Sequence, residues 1–528
     1  MSDRRRSTKR RPASADHTPY LLVASFVTGS AVLVLEMLGT RVIGPYYGAS
    51  VYVWSSLIAV TLAALALGYW AGGYAADRWP QLTAFGVEVT AAGLFVVMIP
   101  SLHKAVLSAT TPLGLKAGAL VSATVLFGPP LFLLSMTGPV AIRLVTSEFT
   151  MLGWNVGRIY GVSTLGSTLG AIVTGFFLVP VFAPRAILVG VALTLVIVGA
   201  IAMLLERRVA SAVAVAVVGV GLAVLLAGSP EPPSNLVYMT NSFYGELKVL
   251  DAQERRVLFI NGLDNGYVNR RTFESLTPYT TYVAYLAAAR PAASRALCIG
   301  LGVGSIPRSL HIRYRMDTDV VEIDPQVAGI ARRYFGLPDD IPVFVDDGRT
   351  FVEHARGRYG FVVLDAFSSD VHPVHLFTRE FFASVDGVLE PGGVLAMNIA
   401  AFPYGEHSRA WLSVYRTLAE RFRFVRVFKG QDVRPEETDR WANLFLVASH
   451  DPLPDPADLG APGKDDADVL TTMAARELPP ESAGGTDRSV VLTDDYNPMD
   501  DLQRELFVAW RRHVIENTKP VLLFDGTR

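Results

Sequence analysis

From Tyr20 to about Gly228 apolar residues follow one another without alternation, and polar positions are confined to short breaks. Seven such runs stand out, over 20–39, 51–75, 82–102, 119–142, 157–182, 185–205 and 209–228. Each has roughly 20 residues or more, the length a helix needs to cross a hydrocarbon core of about 30 Å. The breaks carry the charges and turn residues, as in Asp77-Arg-Trp-Pro80 and Glu206-Arg-Arg208. This pattern predicts an all-α multi-span transmembrane bundle of about seven helices over 19–228. Small residues at Gly166-Ser-Thr-Leu-Gly170 and from Gly68 to Gly72-Gly73 suit close helix packing in lipid.

The pattern changes after Gly228-Ser-Pro-Glu-Pro-Pro233, a turn-rich linker over 229–235. Residues 236–251 and 256–268 alternate like short strands around turns at Tyr244-Gly245 and Asn261-Gly262, which predicts a small β unit over 236–270. Residues 275–289 read as a helix with Tyr279, Tyr282 and Tyr285 at helical spacing. Short continuous apolar runs then fall near 296–300, 319–323, 342–346, 360–365 and 393–399, separated by helical stretches. Runs of this kind are parallel strands covered on both faces, so 271–516 is predicted to be an α/β doubly wound, Rossmann-like domain. A helix over 407–421 and strands near 424–428 and 443–449 close it, and the last helix is expected at 502–514. The stretch 451–488, acidic and rich in Pro, Gly and Ala, is expected to be a mobile insertion. A basic flank over 1–18 and a tail over 517–528 complete the chain.

Composition agrees with a membrane protein: 51% of residues are hydrophobic and 18% charged. A net charge of −2 points to no nucleic-acid partner. The one cysteine, Cys298, can form no internal disulfide and reads as a small apolar strand residue. The flank and the second, fourth and sixth loops hold eleven basic residues: six in the flank, then Arg78, Arg143, Arg158, Arg207 and Arg208. The remaining loops hold four, Arg41, Lys104, Lys116 and Arg185. The positive-inside rule therefore places the N-terminus in the cytoplasm of a cell (inner) membrane. Seven spans put the C-terminal half outside; one span fewer, through the Pro-broken stretch 103–142, puts it inside. Glu36 and Glu88 fall within spans, where a carboxylate is either paired in the bundle, with Arg41 or Arg143 as partners, or belongs to a transport path.

The candidate chemistry sits where strands end. Ala296-Leu-Cys-Ile-Gly-Leu-Gly-Val-Gly304 is a strand running into a glycine turn, and Val320-Val-Glu-Ile-Asp324 is the next strand, ending in acids. Gly300, Gly302 and Gly304 let backbone approach a nucleotide, and Glu322 can hold two ribose hydroxyls. Asp347 and Gly348 follow the third strand and Asp365 closes the fourth. Ligands of open α/β sheets bind outside the carboxyl ends of the strands, so these acids should share one crevice. Asp347 then faces the adenine amino group, and Asp365 can take a proton from an amine and stabilise a sulfonium. His372 and His375 match no metal-ligand spacing, and no metal is expected. Thr493-Asp494-Asp495 either leans over the crevice or caps the last helix.

From Tyr244-Gly-Glu-Leu-Lys-Val-Leu-Asp251 to Asn398 the sequence resembles the spermidine synthase (polyamine aminopropyltransferase) family, and the whole chain is similar to bacterial members fused to a multi-span N-terminal half. The pieces that carry the resemblance are Gly300–Gly304, Val321-Glu-Ile-Asp-Pro325, Asp346-Asp-Gly348, Asp365-Ala-Phe-Ser-Ser-Asp370 and Leu492-Thr-Asp-Asp-Tyr-Asn-Pro498. The resemblance implies decarboxylated S-adenosylmethionine as co-substrate, no permanently bound cofactor, and a small amine such as putrescine as acceptor. It also implies a homodimer. By carry-over Glu322 holds the ribose, Asp347 and Gly348 the adenine, Asn265 the adenosyl side, Tyr279 and Asp370 the substrate, and Asp365 is the proton acceptor. Two positions depart from the family: Val303 stands where an aspartate is usual, and Tyr279-Thr-Thr281 stands for Tyr-His-Glu. The adenosine half of the site is thus kept and the amine half altered. Two other readings stay open, an adenosyl-dependent methyltransferase and a transporter or sensor with an adenosyl-binding domain.

Overall fold

The computed structural model describes residues 17–48, 51–146, 151–227, 234–367, 372–463 and 465–517. The chain divides near 229–230 into a helical unit and an α/β unit.

In the helical unit all seven apolar runs lie on helices, the first two on Thr18–Tyr47 and Val51–Arg78. Five helical segments are long and apolar enough to cross a membrane; one, Leu82–Val145, carries two of the runs and is broken at Thr111–Leu113 into Leu82–Thr110 and Gly114–Val145. The last run lies on a shorter apolar segment, Val209–Leu225. Pro129, Pro130 and Pro139 stay inside Gly114–Val145 without ending it. Gly68, Gly72, Gly166 and Gly170 sit at close helix approaches, whereas a Cβ on Gly73 would meet open space. A Cβ on Gly166 or Gly170 would strike the backbone of Phe26 or Ser30, and one on Gly68 would strike Ser135 and the Phe132 carbonyl. Glu36 lies beside Thr61, and Glu88 is buried. Glu206 accepts from the amides of Leu82 (2.8 Å) and Thr83 (3.1 Å), which satisfies donors that a helix start leaves open.

The α/β unit begins with a four-stranded antiparallel meander, β1 (Leu236–Asn241), β2 (Glu246–Ala252), β3 (Arg255–Ile260) and β4 (Leu263–Asn269). The predicted tyrosine helix is shorter and starts as a 3-10 turn, Pro278–Tyr282, before Val283–Ala289. The main sheet follows, with β5 (Arg295–Ile299), β6 (Asp317–Glu322), β7 (Val343–Val345), β8 (Tyr359–Leu364), β9 (Leu389–Ala401), β10 (Phe424–Lys429) and β11 (Ala442–Ser449). Their order is β10-β11-β9-β8-β5-β6-β7, and β11 runs antiparallel to both neighbours. Alternate residues of one strand feed two cores: Ala296 and Cys298 one, Leu297 and Ile299 the other. Burial on both faces is why these strands read as unbroken apolar runs. The order reverses between β5 and β8, the switch point at which such sheets open a ligand crevice.

The stretch 451–488 is not the mobile insertion its composition suggested. It forms the helix Asp466–Ala475, which buries Leu470 and Met473. Asp466, 2% exposed, accepts from the Arg313 guanidinium (2.6 Å) and the Tyr314 hydroxyl (3.1 Å). A few buried residues outweigh a polar average. Asp466→Ala should therefore cost about 1–3 kcal/mol, less than a fully buried pair because Arg313 is half-exposed. Limited proteolysis should cut the variant within 451–488; the same cleavage pattern as wild type would contradict this packing.

Candidate functional site

A cavity of about 430 Å³ opens at the carboxyl ends of β5, β6 and β8. Gly300, Gly302, Glu322, Asp347, Gly348, Asn265, Tyr279 and Asp365, all singled out from the sequence, line it together, whereas Gly304, the third glycine of the turn, does not. Asp370 lies outside the described residues. Asp494 does not line the cavity; it grips Arg349 through both oxygens (2.7 and 2.6 Å), beside the helix Gly348–His354.

The floor is the glycine turn. Gly300 has φ +93°, and a Cβ there would collide with the Asp365 carbonyl. Only glycine lets the ends of β5 and β8 close on each other at this point. At one end Glu322 is fixed by two backbone amides, Leu301 N on Oε2 (3.0 Å) and Asp324 N on Oε1 (2.9 Å). Loss of water around it outweighs those amides, and its carboxyl is pushed up to about 7. Asp347 differs from its expected role in part. Its Oδ1 caps its own helix, accepting from Arg349 N (3.1 Å) and Thr350 N (3.0 Å), and its Oδ2 meets His375 Nε2 at 2.9 Å. Burial raises its carboxyl, but the Thr350 amide and His375 outweigh that and hold it below the usual range.

At the other end stands Asp365. The Tyr279 hydroxyl donates to it (3.1 Å to Oδ2), and Asn398 Nδ2 donates to Oδ1 at 3.0 Å. Burial raises its carboxyl above the usual range despite both donors. The Tyr279 phenol is held far above its usual range by burial and by the same carboxylate, so it stays protonated and remains a donor. Asn398 had no role assigned from the sequence beyond ending the resembling segment. The signal was available: an amide inside the apolar run Met397-Asn398-Ile399 of β9 is costly unless it has a partner. Asp264, Gln431, Asn443, Trp441 and Trp510 also line the cavity and were not singled out. They come from distant segments that only the fold brings together.

The two histidines play no joint part. His372 is buried; the Ala400 amide donates to its Nε2 (3.3 Å) and its Nδ1 donates to Gln503 Oε1 (3.1 Å). Burial pulls it down to about 4, so it is neutral. The described residues that line the cavity include six carboxylates, Asp264, Glu322, Asp324, Asp346, Asp347 and Asp365, and no lysine or arginine.

Residues 247–409 match the family model of the spermine/spermidine synthase domain. The chain carries that family's domain over these residues. Relatives include a protein of Emericella nidulans named N-terminal histidine N-methyltransferase, 35% identical over 178 residues, or 31% of each chain. A polyamine aminopropyltransferase of Vibrio vulnificus is 31% identical over 196 residues, 34% of this chain and 66% of that one. A probable polyamine aminopropyl transferase of Bifidobacterium longum is 34% identical over 178 residues, 33% of this chain and 40% of that one. The chain thus spans between about a third and two thirds of the length of these relatives. A crystal structure of a probable spermidine synthase from Corynebacterium glutamicum overlaps 50% of this chain and 97% of its own, with a TM-score of 0.41 and 19% identity.

The site has a measurable electrostatic signature. An ordinary glutamate titrates near 4.5, and Glu322 in the folded chain near 7. Between these values the folded state holds the extra proton, so this group favours folding most below the window and least above it. Glu322→Gln carries no charge at any pH and should flatten the loss of unfolding free energy as pH rises from about 5 to 7. An unchanged slope would contradict the buried, unpaired state of Glu322.

Proposed function

We propose that the α/β unit is an aminopropyltransferase that uses decarboxylated S-adenosylmethionine as donor and a polyamine or related small amine as acceptor. The observation that carries this reading is the charge of the cavity: six carboxylates and no lysine or arginine among its described lining residues. Such a lining favours cations, and both the sulfonium donor and an ammonium acceptor are cations. A donor that keeps its α-carboxylate brings a like charge into that wall.

Glu322, with Gly300 and Gly302 beneath it, holds the ribose in this reading, Asp347 and Gly348 face the base, and Asn265 lies along the adenosyl side. Tyr279 and Asp365 face the reacting end. The acceptor nitrogen attacks the methylene beside the sulfonium; a C–N bond forms, the C–S bond breaks, and its electron pair goes to sulfur. Methylthioadenosine leaves, and the proton of the new secondary ammonium passes to Asp365. The raised carboxyl of Asp365 brings it nearer to the working pH of a general base. Asn398 and Tyr279 hold it toward the substrate. The helical unit serves as a multi-pass membrane anchor with a cytoplasmic N-terminus, as its apolar helices and basic loops support.

Methyl transfer is the second reading. Val303 places an apolar side chain in the turn beneath the donor tail, and one relative bears a methyltransferase name. The products separate the two. The full chain in detergent, given decarboxylated S-adenosylmethionine and putrescine or spermidine, should release methylthioadenosine. Release of S-adenosylhomocysteine from S-adenosylmethionine, with no methylthioadenosine from the decarboxylated donor, would overturn the first reading in favour of the second. Asp365→Asn should lower kcat by about 10²- to 10⁴-fold with little change in donor affinity.

A further inference from the structure

Trp510 lies on the last helix, Arg504–Asn517, far along the chain from every strand that ends in an acid, yet its side chain lines the cavity and is only 9% exposed. Its ring lies 5.7 Å from that of Trp441 at 36°, and 6.2 Å from that of Phe367 at 87°. Phe367 is two residues beyond Asp365 and also lines the cavity. A continuous aromatic wall therefore leads away from the proposed proton acceptor. The helix that supplies its outer part is firmly seated. Leu506 and Trp510 pack with Leu250, Phe259 and Leu263 of the β unit and with Ala400 and Phe402. At its start Gln503, 1% exposed, bonds to buried His372, whose ring lies 4.4 Å from that of Phe367. Asp264, Gln431 and Asn443 line the same cavity. Asp264 is close enough to Tyr279 to act on its phenol. Ring faces attract ammonium groups and pack along methylene chains, and a carboxylate can hold a second positive charge.

We infer that the last helix is part of the acceptor site: Trp510, with Trp441, holds the carbon chain of a linear amine whose far cationic group is held by Asp264. This rests on the aminopropyltransferase reading. It makes Trp510 a specificity-determining residue.

The test uses the full chain in detergent with putrescine, decarboxylated S-adenosylmethionine and methylthioadenosine. Trp510→Ala should raise KM for putrescine roughly tenfold. Its kcat and its Kd for methylthioadenosine, measured by calorimetry, should stay within roughly twofold of wild type, and Trp510→Phe should recover most of the KM. An unmoved KM in Trp510→Ala, with wild type active, would overturn this inference alone. So would parallel losses of KM and methylthioadenosine affinity, which mark a merely structural helix. A wild-type chain that binds methylthioadenosine but releases none from the decarboxylated donor would overturn the aminopropyltransferase reading, and this inference with it.

Discussion

Carboxylates repel one another, and a cavity that gathers six of them without a lysine or arginine among its described lining has to be stabilised in other ways. The chain does this mostly with backbone amides and neutral donors. Glu322 takes two amides, Asp347 caps a helix, Asp324 accepts from Gln326 N, and Asp365 takes a phenol and an amide. These contacts fix the acids without cancelling their field. The remaining imbalance is suited to a cationic ligand, while burial raises the Glu322 and Asp365 carboxyls above their ordinary range.

The geometry that permits this is set by the sheet. The order reverses between β5 and β8, so the turn at Gly300 and the tip at Asp365 meet, and a side chain on Gly300 would hold them apart. The β unit brings Asn265 and Asp264 to one side, and the last helix brings Trp510. The proposed donor end is built from consecutive strand tips, whereas the proposed acceptor end is assembled from segments more than 240 residues apart (Asp264 and Trp510).

That difference explains how much of the molecule could be read from its sequence. Strands buried on both faces leave unbroken apolar runs, so β5, β6, β8 and β9 were legible to within a few residues. The glycine turn and its following acids sit next to those runs, so Glu322, Asp347 and Asp365 were legible too. Trp441 and Trp510 were not, because neither their spacing nor their neighbours distinguish a cavity wall from ordinary packing. The stretch 451–488 misled because its average polarity hides Leu470, Met473 and the bridge from Asp466 to Arg313. Asp347 was placed correctly, but local spacing could not show that one of its oxygens caps its own helix.

The charge of the cavity is the central claim, and a comparison of two ligands tests it most directly. Decarboxylated S-adenosylmethionine and S-adenosylmethionine differ by one carboxylate, so their Kd values for the full chain in detergent, measured at the same pH and salt by calorimetry, read the field of the cavity. A wall of carboxylates with no lysine or arginine among its described lining residues predicts tighter binding of the decarboxylated compound by roughly tenfold or more. Equal affinities, or tighter binding of S-adenosylmethionine, would contradict it.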